Sequence, residues 1–193
     1  MGYTYVSANL PQLQWGKKNE AKARDAYLSK MKCLGHKDIE CQPCGLTLMP
    51  AHSYLGASAD GIIRNHKHHI DEGPDVLEIK CPFSINKTLV TGRSPIDLAK
   101  EDNNFCLEYI EEGKVRLKRT SPYYMQVQGE MAIKNYTWAH FVVWTAADVN
   151  NLYIEEICFD QDLWENRMLP KLQSVYSTVL VPEILTRNIQ QTL

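Results

Sequence analysis

The run Leu77-Glu78-Ile79-Lys80-Cys81-Pro82 constrains this chain more than any other stretch. Apolar and charged residues alternate there, and a period of two is the pattern of a β-strand. Glu78 and Lys80 therefore project from one face, and Leu77, Ile79 and Cys81 from the other. Asp60 precedes Gly61 at the end of a second predicted strand, where a turn brings its carboxylate toward the same edge. Neighbouring carboxylates bind a divalent cation, and oxygen-only donors favour magnesium or manganese over zinc.

Two acids and a lysine at loose spacing recur by chance, and surface strands often carry Glu and Lys as a solvated face. The flanking strings are more specific: Gly56-Ala57-Ser58-Ala59-Asp60-Gly61, then Leu77 to Phe83, then Tyr123-Tyr124-Met125-Gln126-Val127-Gln128, preceded by Trp15-Gly16-Lys17 with Glu20. In that order they resemble the lambda-exonuclease and YqaJ-like viral recombinase family of the PD-(D/E)XK nuclease superfamily, with Asp60 in the first slot and Glu78-Ile79-Lys80 as the second half. The matching blocks run from residue 15 to residue 128.

The resemblance implies an α/β fold with a restriction-endonuclease-like core, a central mixed β-sheet flanked by helices. It implies a Mg²⁺-dependent deoxyribonuclease, with Mn²⁺ able to substitute, that hydrolyses phosphodiester bonds. An exonuclease acting on linear double-stranded DNA in recombination or repair is the leading expectation. A structure-specific endonuclease, a catalytically silent DNA-binding recombination module and a zinc-stabilised interaction domain stay open beside it. A single-strand annealing protein and a second copy of the chain are the expected partners besides DNA.

Asp60 and Glu78 are then the principal metal ligands, the main-chain carbonyl of Ile79 completes the shell, and Glu20 helps hold a second ion or a bound water. Lys80, beside the acids on its strand face, stabilises the charge that develops on the phosphate; adjacent carboxylates keep it charged and favour electrostatic work over base catalysis. Gln126 matches the family's helix glutamine, holding water or phosphate, and Ser58 and Tyr123 line the site. The family also carries an arginine and serine segment upstream of its Trp-Gly helix to grip a 5′ phosphate. Fourteen residues precede Trp15, so the chain is expected either to be a piece of something larger or to have different end requirements.

At 193 residues, 44% of them hydrophobic, the chain suffices for one well-buried α/β core, and a single domain over 1–193 is expected. No run approaches the roughly 20 apolar residues that span a bilayer. No basic-then-apolar leader begins the chain, and Val6 stands where a myristoylation motif needs Ser or Thr. The expected location is intracellular, nucleus or cytoplasm, and free thiols are expected of the six cysteines. Cys33, His36, Cys41 and Cys44 have spacing that could hold zinc, but the central loop is short for a ribbon; buried cysteines beside a turn are the favoured reading.

A net charge of −2 would argue against nucleic acid. A metal site must itself gather acids, however, and its cations reverse the local sign. Lys114, Arg116 and Lys118 alternate along a predicted strand, with Arg119 adjacent, as a phosphate-contacting ridge or a solvated hairpin face.

Along the chain, residues 17 to 34 read as a helix with an apolar stripe of Ala23, Tyr27, Met31 and Leu34, and Glu20 on that stripe. Residues 39 to 64 read as two strands interrupted by Pro43, Gly45, Pro50 and Gly56. A polar turn holds His66, His68 and His69, without companion ligands at fixed spacing. A short helix and then a loop are expected from Ser84 to Lys100, and a hairpin from Phe105 to Leu117 around Glu111-Glu112-Gly113-Lys114. Ser121 and Pro122 open a helix to about Asn135, with Gln126 and Glu130 on one face. Strands at 137–145 and 152–159 flank Asp148-Val149-Asn150-Asn151. A final helix packs Leu163, Trp164, Met168, Leu172, Val175 and Val179, kinked at Pro170.

Overall fold

Strand alternation and two helical stripes divide the interior into two apolar layers on either side of one sheet. The computed structural model describes residues 10–66, 73–85, 88–90, 92–111, 113–145 and 152–186. His68, His69, Glu112 and the 148–151 connection lie outside the described residues.

The sheet has the order β1-β4-β5-β10-β11, formed by Glu40–Gln42, Gly61–Arg64, Asp75–Lys80, Trp138–Trp144 and Leu152–Cys158. β5 and β10 are parallel, while β1 with β4, β4 with β5, and β10 with β11 are antiparallel. The sheet is thus mixed, as expected, with β5 at its centre and a neighbour on each side.

On one face lies α1, Pro11–Cys33. Its Ala23, Tyr27 and Met31 pack with Leu77, Ile79, Val142, Ile63 and Ile39. On the other lies α3, Pro122–Lys134, whose Tyr124, Val127 and Met131 pack with Val76, Ala139, Phe141 and Val143. Each fully buried side chain of this kind contributes about 1.5–3 kcal/mol, so both faces are held firmly. Ser121 caps α3 as its spacing predicts, accepting from Tyr123 N–H at 3.2 Å, and Asn135 ends it in the left-handed conformation at φ 57°.

Several expectations are corrected. α1 begins six residues earlier than 17, opened by Pro11, and Leu34 is 61% exposed as its C-cap residue, no longer on the stripe. The 39–64 region holds four strands, since β2 (Thr47–Met49) and β3 (His52–Ala57) form their own ribbon. The expected order after Ser84 is reversed. A two-residue ribbon, β6 (Ser84–Ile85) and β7 (Thr88–Leu89), comes first, and α2 (Pro95–Glu101) follows with Ser94 as cap and Pro95 at its first turn. The hairpin is β8 (Leu107–Glu111) with β9 (Lys114–Leu117).

The C-terminal helical run extends from Gln161–Leu163 to Val181–Thr186, with π-type turns at Trp164–Met168 and Tyr176–Leu180. The first π turn sits just before Pro170, where wider winding accommodates the missing N–H. Only the start of the predicted packing face is used: Leu163 and Trp164 are buried, whereas Leu172, Val175 and Val179 are exposed. Tyr176 instead stacks on Tyr54 at 3.8 Å between ring centroids.

Candidate active site at the end of strand β5

Pairing between β4 and β5 stops at Gly61 opposite Leu77, so the edge of β5 beyond that point is left open. Asp60 sits immediately before β4, at its start and not at a strand end as the sequence suggested. Its Oδ2 accepts the Ile79 N–H at 2.7 Å. The N–H and C=O of one strand residue point the same way, so the Ile79 carbonyl faces the edge that Asp60 occupies. Gly61 fits tightly here: a Cβ would stand 2.5 Å from Cys41 Sγ on β1 and would force that thiol to shift.

Glu78 and Lys80 share the α3 face of β5, as the alternation requires, and are ion-paired through Nζ and Oε1. α3 supplies Gln126, which satisfies both partners at once: its Nε2 donates to Glu78 Oε1 at 2.7 Å and its Oε1 accepts from Lys80 Nζ at 3.0 Å. The same Nε2 donates to Glu130 Oε1 at 2.8 Å, one turn further along α3. The Tyr123 ring lies beneath the ammonium, 4.7 Å from Nζ to centroid.

Burial raises the Glu78 carboxyl above the usual range, opposed by the Lys80 charge. The same burial works against the Lys80 ammonium, but Glu78 outweighs it and the net shift is upward, so the ammonium stays charged. Burial, reinforced by Glu78, pushes Glu130 up to about 8. The Cys81 thiol is pushed up to about 12, by burial and then by Asp60 and Glu20. This end of the sheet therefore crowds carboxyls whose ionised forms are opposed by burial and by one another, with Lys80 as their internal counter-charge.

The donor set fits a hard divalent cation. Glu78 Oε2 is buried without a hydrogen-bond partner, as is Glu130 Oε2, and ionising carboxyls so placed is costly unless a cation meets them. With the Asp60 carboxylate and the Ile79 carbonyl, all donors are oxygen, the set that magnesium and manganese take.

Glu20 is not on a buried stripe: its side chain is 39% exposed, and the stripe's polar member is Asn19, bonded to the Trp15 carbonyl at 2.9 Å. Glu20 reaches the site through Arg24. One Arg24 nitrogen, Nη2, contacts Glu20 Oε1 at 2.7 Å and the Asp60 carbonyl at 3.0 Å. Ser58 is exposed, two residues before Asp60.

A cavity of about 1130 Å³ opens beside the site, lined among others by Lys17, Lys80, Lys118, Phe105 and Tyr123. Of the predicted basic ridge, only Lys118 reaches this cavity, its Nζ donating to the Asn103 carbonyl at 2.5 Å. Arg116 is occupied by Glu108 across the hairpin at 2.6 Å, and Arg119 by Glu155 at 3.0 Å. Lys114 is exposed on the hairpin and does not line the cavity. Sequence reasoning missed Arg24 and Glu130 as site residues, although each stands four positions from a residue it did identify, the spacing of helical neighbours.

The zinc alternative for Cys33, His36, Cys41 and Cys44 is not assembled, and the favoured reading of buried cysteines is not met in full either. Cys33 is exposed, Cys41 and Cys44 are half-buried, Cys44 Sγ accepts from Lys134 Nζ at 2.8 Å, and His36 stacks on His66 at 4.3 Å. Among the described residues the one group of three His, Cys, Asp or Glu with ligand atoms within 4.8 Å of one another is His66, His140 and Glu156.

The family profile described as the YqaJ-like viral recombinase domain matches residues 6–137. No curated protein matches the chain. Among solved structures, an alkaline exonuclease, LHK-Exo, from Laribacter hongkongensis is similar, with a TM-score of 0.57 and 21% identity over 95% of this chain and 77% of that one. The same enzyme in complex with dAMP is similar at a TM-score of 0.56, with 22% identity over 94% of this chain and 75% of that one. At these scores the mixed α/β fold is shared.

Proposed function

Because the chain belongs to the YqaJ-like viral recombinase domain family, we propose that it is a Mg²⁺-dependent nuclease that degrades linear double-stranded DNA from its ends in recombination. The observation that carries this reading is the buried Glu78 carboxylate, bonded on one oxygen to Lys80 and Gln126 and left open on the other, beside an Asp60 fixed by the strand itself. The similarity to an alkaline exonuclease, seen once with dAMP, supports DNA as the substrate.

Asp60, Glu78 and the Ile79 carbonyl would hold the ion, while Glu20, paired with Arg24, acts on the Asp60 main chain and not on the ion. The ion supplies charge neutralisation at the phosphate and lowers the pKa of water. Everything else falls to this chain's own side chains. Lys80, kept charged, faces the negative charge that builds on the phosphate oxygens, a contribution worth about 10²–10³ in rate for one well-placed donor. Gln126 fixes Lys80 and Glu78 relative to each other, so neither can swing away when substrate enters. Arg24 holds the Asp60 main chain against α1. Lys17, Lys118 and the Tyr123 ring provide backbone and base contacts along the cavity. A single-strand annealing protein and a second copy of the chain belong to the same reading as partners.

The test is incubation of end-labelled linear duplex with Mg²⁺, comparing 5′-phosphate with 5′-hydroxyl ends. Progressive shortening from the end that stops with chelator is expected. Faster cutting of nicked circles or junctions would replace the reading with an endonuclease, and tight binding without turnover would replace it with a silent module.

A further inference from the structure

On the α1 face of the sheet, at the end away from Lys80, a second polar cluster is buried. Asp75 opens β5 and is 1% exposed; His140 on β10 is 0% exposed; His66, just past β4, is 3% exposed. Glu156 on β11 stands directly opposite His140 in the antiparallel register. Asn65, at φ 59°, turns the chain through the left-handed region that asparagine tolerates, just before His66.

We infer that His66, His140 and Glu156 form a zinc site, distinct from the hydrolytic one. One ligand atom from each lies within 4.8 Å of the others. His66 Nε2 is 3.5 Å from Glu156 Oε1, and His140 Nε2 is 3.2 Å from Asp75 Oδ2. Zinc holds nitrogen and oxygen donors at about 2.0–2.2 Å in a tetrahedron, which separates neighbouring donors by about 3.4 Å. The His66–Glu156 pair is already near that spacing, and His140 Nε2, now held by Asp75, would exchange that contact for the ion.

The outer partners of the imidazoles are also in place. His140 Nδ1 meets the Tyr27 hydroxyl at 2.9 Å, and His66 Nδ1 faces Asp75 Oδ2 at 3.6 Å. Carboxylates and hydroxyls in such positions fix the ring orientation and tautomer of metal-binding histidines. His36 stacks on His66 with a 10° interplanar angle and restricts its rotation. Entry is available on one side, because Glu156 is 33% exposed and borders a cavity of about 410 Å³ with His36 and Met31. Two imidazoles select zinc over magnesium, whereas the acid–lysine site offers oxygen alone. Occupancy would tie β4, β10 and β11 together beneath α1.

The experiment strips the full chain with chelator, then titrates zinc by calorimetry and counts bound zinc after desalting. One equivalent per chain is expected, retained in Asp60→Asn, with a rise in the thermal midpoint and a tetrahedral visible spectrum when cobalt replaces zinc. Glu156→Gln should weaken binding at least about tenfold and remove the thermal shift, and Tyr27→Phe should weaken it about tenfold. His66→Gln should abolish binding, and if that buried variant does not fold, the half-exposed Glu156→Gln decides. Absence of bound zinc would overturn the site, as would unchanged affinity in Glu156→Gln. Loss of the ion in Asp60→Asn would move it to the hydrolytic site, and loss in Cys41→Ser with Cys44→Ser would move it to the cysteines.

Discussion

The two ends of β5 carry two buried polar clusters in one six-residue strand, and they differ in almost everything that sets their chemistry. At the C-terminal end Glu78 and Lys80 face α3, with oxygen donors, an ammonium and a broad cavity. At the N-terminal end Asp75 faces α1 among histidines and a tyrosine hydroxyl. Five residues of strand separate them by about 17 Å, and an odd step in a period of two puts them on opposite faces. One end is open where β4 pairing stops; the other is enclosed by strands on both sides. A carboxylate beside an open edge is available for chemistry, and one sealed among imidazoles is available for holding the fold.

That contrast breaks first if the wrong end proves catalytic. Lys80→Ala or Asp60→Ala should lower cleavage of linear duplex by about 10³-fold or more while unfolding stays cooperative; normal digestion by either variant, measured on labelled DNA, would sink the assignment. Asp75→Ala should do the opposite. Removing a buried carboxylate from its two histidines should cost about 3–5 kcal/mol in denaturant unfolding, with cleavage per folded molecule little changed. A stable but inactive Asp75→Ala would merge the two clusters into one site.

The open end should also show in the pH dependence of stability without divalent ions. Glu130 is raised to about 8, above its unfolded value, so the folded state binds the extra proton. Its contribution is intact below about pH 4.5 and is lost as pH rises toward 8, on the order of 5 kcal/mol. Glu130→Gln should flatten that decline in thermal melts between about pH 5 and 8. A decline of equal steepness in the variant would place the effect elsewhere. The smallest expected effect concerns the ridge. Lys118→Ala should weaken DNA binding evenly across sequences and reduce the salt slope by about one, whereas Arg116→Ala, its charge already taken by Glu108, should leave both unchanged in an anisotropy titration.

The same comparison explains what could be read from the sequence. The proposed catalytic end is carried by local patterns, because alternation within β5 and the Ser121-Pro122 start of α3 each mark their own residues within a short stretch. The enclosed end draws His66, Asp75, His140 and Glu156 from four separate stretches, and only the register of β5, β10 and β11 brings them together. His66 was visible in a histidine-rich turn, but nothing local named its companions. Glu20 misled because its spacing fits the α1 stripe, while Arg24, one turn on, offers an ion pair that keeps it at the surface. The C-terminal run misled differently: its apolar period is real, but past Met168 the run meets β3 through Tyr176 on Tyr54, and Leu172 and Val175 stay exposed.

Ile79 lends the site its main chain, donating an N–H to Asp60 while its side chain, 6% exposed, packs under α1. A saturation library at this position should therefore accept any apolar residue of similar volume and reject proline, which has no N–H to give. The letter between the acid and the lysine is then free to drift over generations, and a search for this site by spelling has to leave that place blank.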